Sequence, residues 1–196
     1  LNLCNKNFPN MNSNDSSKAK HDLLAEVCYA AKFEGQSIKT HYPKYDAEYP
    51  SGSGSSMCTM LARSFADIGD IVRGRDLYRR DKGKRDKLEQ KLKEIFQQIH
   101  SGLSKNGAQT YYEDKDTDKN FFKLREDWWG ANRETVWKAI TCGTGESDTY
   151  FRPTCSNRQG PSQANHYCRC NGDKPDDDKA NVDPPTYFDY VPQYLR

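Results

Sequence analysis

Apolar residues recur along this chain at helical spacing in four stretches, separated by segments rich in polar residues, glycine and proline. The first, "KAKHDLLAEVCYAAKFEGQSI", follows Ser16 and Ser17 and sets Leu24, Val27, Cys28 and Ala31 at i, i+3, i+4 and i+7. That spacing predicts one buried face of a capped helix over roughly 17–38. The second, "SSMCTMLARSFADIGDIVRG", aligns Met57, Leu61, Ser64, Phe65 and Ile68 and stops near Gly74, a helix over roughly 56–73. Between them "HYPKYDAEYPSGSG" reads as an irregular, exposed loop. The third, "RDKLEQKLKEIFQQIHSGL", has Leu88, Leu92, Ile95, Phe96 and Ile99 on one side and Glu89 with Lys93 as an expected surface pair. It predicts a helix over roughly 84–101, and residues 104–119 read as a connecting loop.

The fourth stretch, "LREDWWGANRETVWKAITC", holds all three tryptophans. On a wheel of about 100° per residue, Trp128, Trp129, Val136, Ala139 and Ile140 share an arc of roughly 120°, flanked by Trp137. Glu134 and Lys138 lie opposite at i, i+4. A broad apolar arc facing away from a salt-paired side predicts a core helix over roughly 120–141 rather than a tryptophan-lined carbohydrate cleft. Each buried aromatic contributes roughly 2–3 kcal/mol, and Gly130 is a candidate kink. Beyond Cys142 the sequence turns Gly-, Pro-, Asn- and Asp-rich, and 142–185 reads as a Cys-rich loop region before the tail "PPTYFDYVPQYLR".

Composition changes this picture in one respect. Mean hydropathy is −1.06 and 34% of residues are hydrophobic, values that approach those of disordered chains. Seven cysteines, Cys4, Cys28, Cys58, Cys142, Cys155, Cys168 and Cys170, argue instead for a cross-linked fold in an oxidising compartment. Their odd number leaves one thiol free or paired with chain outside these 196 residues. The pairing is not legible from sequence. Zinc held by His166, Cys168 and Cys170 is the weaker alternative, because C-x-C lacks the usual C-x2-C geometry. "DKPDDDK" lacks the spaced ligands of a calcium loop, so no metal or cofactor is expected. Asn14-Asp15-Ser16 matches a glycosylation sequon.

The chain carries no nucleophile elbow, zinc-protease helix, phosphate-binding loop or dinucleotide fingerprint, and its four histidines are scattered. No enzyme is expected. No apolar run reaches the length of a membrane span, and the N-terminus lacks a signal-peptide pattern. Charge carries more information. Residues 73–93 contain ten Lys/Arg against four Asp/Glu, while the whole chain has a net charge of +2. Such asymmetry attracts polyanions. For an exported, disulfide-bonded chain the available polyanion is a sulfated glycan rather than nucleic acid. The expected contacts are Arg79, Arg80, Lys82, Lys84, Arg85 and Lys87.

Four blocks in order, "LLAEVCYAAKFEGQSI", "CTMLARSFADIGDIVRGRDLY", "LREDWWGANRETVWKAITC" and "PPTYFDYVPQYLR", closely resemble the alpha-type Duffy-binding-like domain. This is the N-terminal adhesion domain of the malaria parasite's erythrocyte membrane protein 1 family. The resemblance implies a mainly α fold: a disulfide-pinned helical bundle with long irregular loops, displayed extracellularly on infected red cells as part of a larger membrane protein. Membrane attachment would then come through other parts of that protein. It further implies a single incomplete domain over 1–196, mostly its second subdomain and lacking the third, which would account for the odd cysteine. The implied partners are host receptors: heparan sulfate, complement receptor 1 and blood-group sugars, with antibodies against the variable loops. Residues 79–119 and 143–185 have no fixed family motif, so no contact residue is carried over. The alternatives are a module that contacts a protein receptor or antibody with incidental charge, and a scaffold that binds nothing itself.

Overall fold

The computed structural model describes residues 16–48, 56–77, 82–104, 107–113, 119–157 and 160–196, and for 82–86 and 157 the backbone alone. Cys4 and Asn14 lie outside these residues. The chain is mainly α, with helices α1 (Ala19–Glu48), α2 (Met57–Arg73), α3 (Lys82–Ser101), α4 (Ala108–Tyr111) and α5 (Phe122–Ile140). An antiparallel hairpin of β1 (Tyr150–Asn157) and β2 (Gly160–Ala164) follows, and two 3-10 turns, Phe188–Tyr190 and Gln193–Leu195, close the chain.

The apolar stripes of all four long helices meet in one core. It contains Leu23, Val27 and Ala31 of α1, Leu61, Phe65 and Ile68 of α2, Leu92, Ile95 and Phe96 of α3, and the three tryptophans of α5. Helix α5 is its keel. Trp129 is fully buried and Trp137 nearly so, each packed against Phe65 with ring centroids 5.1 and 5.2 Å away. Trp128 meets the edge of Phe96 at 6.2 Å, and such tilted and edge-to-face pairs suit the ring quadrupoles. Glu134 accepts from Lys138 Nζ at 2.8 Å on the outer side. Gly130 is exposed within an unbroken helix.

Two glycines permit the close fits. A Cβ on Gly35 would stand 2.0 Å from the Ile140 carbonyl oxygen, so α1 and α5 touch backbone to backbone there. Gly74 ends α2 at φ +72°, a left-handed cap beside Phe122 and Arg125. At the other end of α2 the Ser56 hydroxyl accepts from Thr59 N at 3.3 Å.

Four expectations need correction. Helix α1 does not end near 38 but continues through "HYPKYDAE", with Pro43 inside it. Ile38 and Tyr42 continue its core-facing stripe, and that packing outweighs the hydrogen bond lost at the proline. The loop of 104–119 contains the short α4, and 142–185 contains the hairpin. Pro153 obscures the strand signal of "YFRPTCSN". Glu89 does not serve Lys93: it accepts from the buried Arg125 at 2.5 and 3.0 Å, and Lys91 with Glu94 makes a pair on α3 at 3.6 Å.

Among the described residues two disulfides form, Cys58–Cys168 and Cys155–Cys170. The first joins α2 to the region after α5, across 110 residues; the second staples β1 to the turn beyond β2, across 15. Among the described residues Cys28 and Cys142 are free thiols. The Cys-rich region is tied to the α5 keel by Trp137, whose Nε1 donates to the Cys168 carbonyl at 3.0 Å. Cys168 and Cys170 are spent in disulfides with different partners, and His166 Nδ1 lies 3.1 Å from the Glu146 carbonyl. This removes the thiolates on which the zinc alternative depends.

Candidate binding surface

The basic segment begins where α2 ends, and carboxylates of the fold engage its first two arginines. Arg73 is buried. Its Nε donates to the Gly69 carbonyl at 3.0 Å, and its other nitrogens donate to Asp70 and Glu126, each at 3.1 Å. Arg75 pairs with Glu126 at 2.7 Å. Arg79 and Arg80 lie outside the described residues. Lys82, Lys84 and Arg85 fall on the first turn of α3, where the backbone alone is described, and Lys87 is exposed one residue before the buried Leu88. Four of the six expected contacts, Lys82, Lys84, Arg85 and Lys87, thus share one helix end.

Two acids of this segment, Glu89 and Asp76, are engaged elsewhere. Glu89 is clamped by Arg125, which also donates from Nε to the Val72 carbonyl at 2.6 Å and from Nη2 to the Ile71 carbonyl at 3.2 Å. One guanidinium thereby caps the end of α2 and fixes α3 to α5. Asp76 accepts from Gln193 Nε2 at 3.0 Å. Two of the segment's four carboxylates are therefore engaged by the fold rather than by neighbouring lysines.

A second polar construction, not anticipated from the sequence, holds the tail. Asp189 is buried and accepts from Arg133 Nε at 2.9 Å, Arg133 Nη2 at 3.0 Å and Trp129 Nε1 at 3.0 Å, and its carbonyl accepts from Arg73. Burial alone would lower the Arg133 pKa, but the hydrogen bonds and charge of Asp189 more than offset this and raise it. Tyr190 lies over Arg133, 5.2 Å from ring centre to guanidinium carbon. Asp67 accepts from Arg196 at 3.2 Å and Asp70 pairs with the same guanidinium. The signal was present in the sequence as Arg125, Trp129, Arg133 and Trp137, an alternation every four residues. Arginine is so often exposed that the two arginines find no place in an apolar arc of Trp128, Trp129, Val136, Ala139 and Ile140.

A third cluster secures the Cys-rich region. Arg169, between the two disulfide cysteines, donates to Thr141 Oγ1 at 2.8 Å, Asp173 at 3.1 Å, Asp178 at 2.5 Å and the Lys138 carbonyl at 2.9 Å. The acidic run is thus partly a structural counter-charge. Among the described residues no group of three His, Cys, Asp or Glu is placed to hold a metal. No described helix is long and apolar enough to cross a membrane. The arrangement contains charged surfaces and rigid supports, and chemically it suits recognition.

Comparison with known proteins agrees. No curated protein matches, but the family model described as Duffy binding domain matches residues 1–196. Among solved structures the chain is similar to the NTS-DBL1α1 domain of Plasmodium falciparum membrane protein 1 (PfEMP1) from the varO strain. The two share 38% identity at a TM-score of 0.73, over 98% of this chain and 39% of that one. An ICAM-1-binding PfEMP1 DBLβ domain is 31% identical at a TM-score of 0.66, over 97% of this chain and 38% of that one. A further PfEMP1 DBLβ domain, solved bound to human ICAM-1, is 31% identical at a TM-score of 0.57, over 89% and 30%. The chain therefore spans about two-fifths of the length of the first of these relatives. With its whole length matched and its helical, disulfide-braced fold shared, this chain belongs to the Duffy binding domain family, a family of non-enzymatic adhesion domains.

Proposed function

We propose that this chain is part of an extracellular adhesin displayed on infected erythrocytes, and that Arg79, Arg80, Lys82, Lys84, Arg85 and Lys87 bind sulfated glycans of host cells. The observation that carries this reading is the withdrawal of Glu89 and Asp76 from the basic segment by Arg125 and Gln193. Beside Asp81 and Asp86, residues 79–93 carry eight Lys/Arg, and guanidinium and ammonium groups pair with sulfate oxygens as they do with phosphate. Heparan sulfate is the candidate ligand with this chemistry. Blood-group sugars lack sulfate, and complement receptor 1 is a protein. The chain is read as one incomplete domain, mostly a second subdomain, within a larger membrane protein. The test is binding of the purified chain to red cells before and after enzymatic removal of heparan sulfate. Loss of binding is expected; unchanged binding would overturn the glycan assignment.

A second reading, contact with a protein receptor, is favoured by the DBLβ relative solved with human ICAM-1 and by Tyr187, Tyr190 and Tyr194 standing exposed on the tail. Binding that survives both glycan removal and high salt would select it, because exposed ion pairs are screened by salt.

A further inference from the structure

Helix α5 carries a charged pair near its start, Arg125 and Glu126, whose members act in opposite senses on the basic segment. Glu126 takes cations out of it: Arg73 and Arg75 donate to its two oxygens at 3.1 and 2.7 Å. Arg125 takes out an acid. Its side chain is fully buried, with the guanidinium carbon 5.5 Å from the Phe96 ring centre. Gly74 leaves room for it, since a Cβ there would stand 3.1 Å from the same carbon. From this place Nη1 and Nη2 grip both oxygens of Glu89 at 2.5 and 3.0 Å, while Nε and Nη2 hold the Val72 and Ile71 carbonyls. Only a planar guanidinium fork presents donors in both directions at once; a lysine ammonium does not. On α3 itself Glu89 stands four residues after Arg85 and four before Lys93, the spacing at which a carboxylate pairs with a cation along a helix. The fold cancels the pairing that this spacing favours.

We propose that Arg125 is a positioning residue for the basic surface of α3: by holding Glu89 toward α5, it keeps Arg85 and Lys93 from being neutralised along their own helix. The inference rests on the reading of that surface as the polyanion-binding part of the chain, and adds what controls its charge. Arg125 touches no ligand. Without it, the partly exposed Glu89 is released to cations one turn away on either side, and the field outside α3 becomes less positive. A buried side chain thus sets the charge of an exposed helix, and a change at position 125 alters binding without touching the binding surface.

The test compares the whole wild-type chain with R125Q, R125K, R125Q/E89Q and R125Q/D127N. Asp127 lies on α5 and accepts from the Tyr112 hydroxyl, so D127N returns the same net charge as E89Q but leaves Glu89 in place. NMR relaxation enhancement by an anionic and a cationic nitroxide reads the potential at the backbone amides of residues 87–93 without any ligand, and heparin-column elution is measured beside it. R125Q is expected to lower enhancement by the anionic nitroxide about twofold, the effect of one unit charge at these distances in salt. R125Q/E89Q is expected to restore it and R125Q/D127N is not. A purely structural role, through the Val72 and Ile71 carbonyls, would not be rescued by E89Q. R125K, which loses the two-pronged grip on Glu89, is expected to show a smaller fall and stands in for R125Q if circular dichroism shows that variant unfolded. Wild-type potential in R125Q, or in R125K where it stands in, overturns the proposal, as does equal rescue by D127N. Because the nitroxide reading needs no glycan, a wild type that fails to bind heparin defeats the proposed function while the role of Arg125 is still decided.

Discussion

Gly35 sits where two helices leave no room for a side chain. Because the atom a new Cβ would meet is the Ile140 carbonyl at 2.0 Å, no flexible group can yield and the helices must part. Gly35→Ala should destabilise the fold by about 3 kcal/mol, read as a lower midpoint in urea unfolding. Asp189 is the converse case, a charge whose partners are fixed around it. Asp189→Ala strands the Arg133 guanidinium and the Trp129 N–H in the core, and a cost of about 3–5 kcal/mol is expected from thermal or denaturant unfolding. The two free thiols should differ in reactivity. Burial raises the Cys28 pKa from 9.0 to about 11, whereas Cys142 is exposed. Iodoacetamide at pH 8 should label Cys142 first, as peptide mass mapping would report. The sign of the Cys28 shift also fixes a pH dependence. Between pH 9 and about 11 the unfolded chain loses this proton and the folded chain keeps it, so its contribution, present below pH 9, is lost as pH rises. Cys28→Ala should flatten that slope.

Among the elements, the helices were legible and their limits less so. Leu88, Leu92, Ile95, Phe96 and Ile99 specify α3 without ambiguity, because period and burial agree. The extension of α1 past 38 was hidden by Pro43, which argues locally for a break while Ile38 and Tyr42 argue for continuation. Tertiary packing decided it. The hairpin was hidden for a related reason: Pro153 interrupts a strand that buries Tyr150 and Cys155 on either side of it. Disulfide pairing could not be read at all, since Cys58 and Cys168 are 110 residues apart and become neighbours only after α2 and α5 pack. That separation predicts unequal effects. Cys58→Ala/Cys168→Ala should cost about 5 kcal/mol and Cys155→Ala/Cys170→Ala about 3 kcal/mol by the chain-entropy account, checked by denaturant unfolding of the two double variants.

At the scale of the whole molecule, the same features that identify the family are those that build its core. "LREDWWGANRETVWKAITC" and "PPTYFDYVPQYLR" meet through Trp129, Arg133 and Asp189, so their resemblance to known domains reports a fold more directly than a receptor. Function was less legible because it resides in side chains that the core does not constrain. Periodicity locates what is buried, and only the charge imbalance of 73–93 pointed outward. The central claim, that Arg79, Arg80, Lys82, Lys84, Arg85 and Lys87 bind a polyanion, is tested most directly by heparin-affinity chromatography of the wild type and R80E/K84E/R85E. The account predicts retention of the wild type to well above physiological salt and elution of the variant near it, with matching circular dichroism. Co-elution of the two would contradict it.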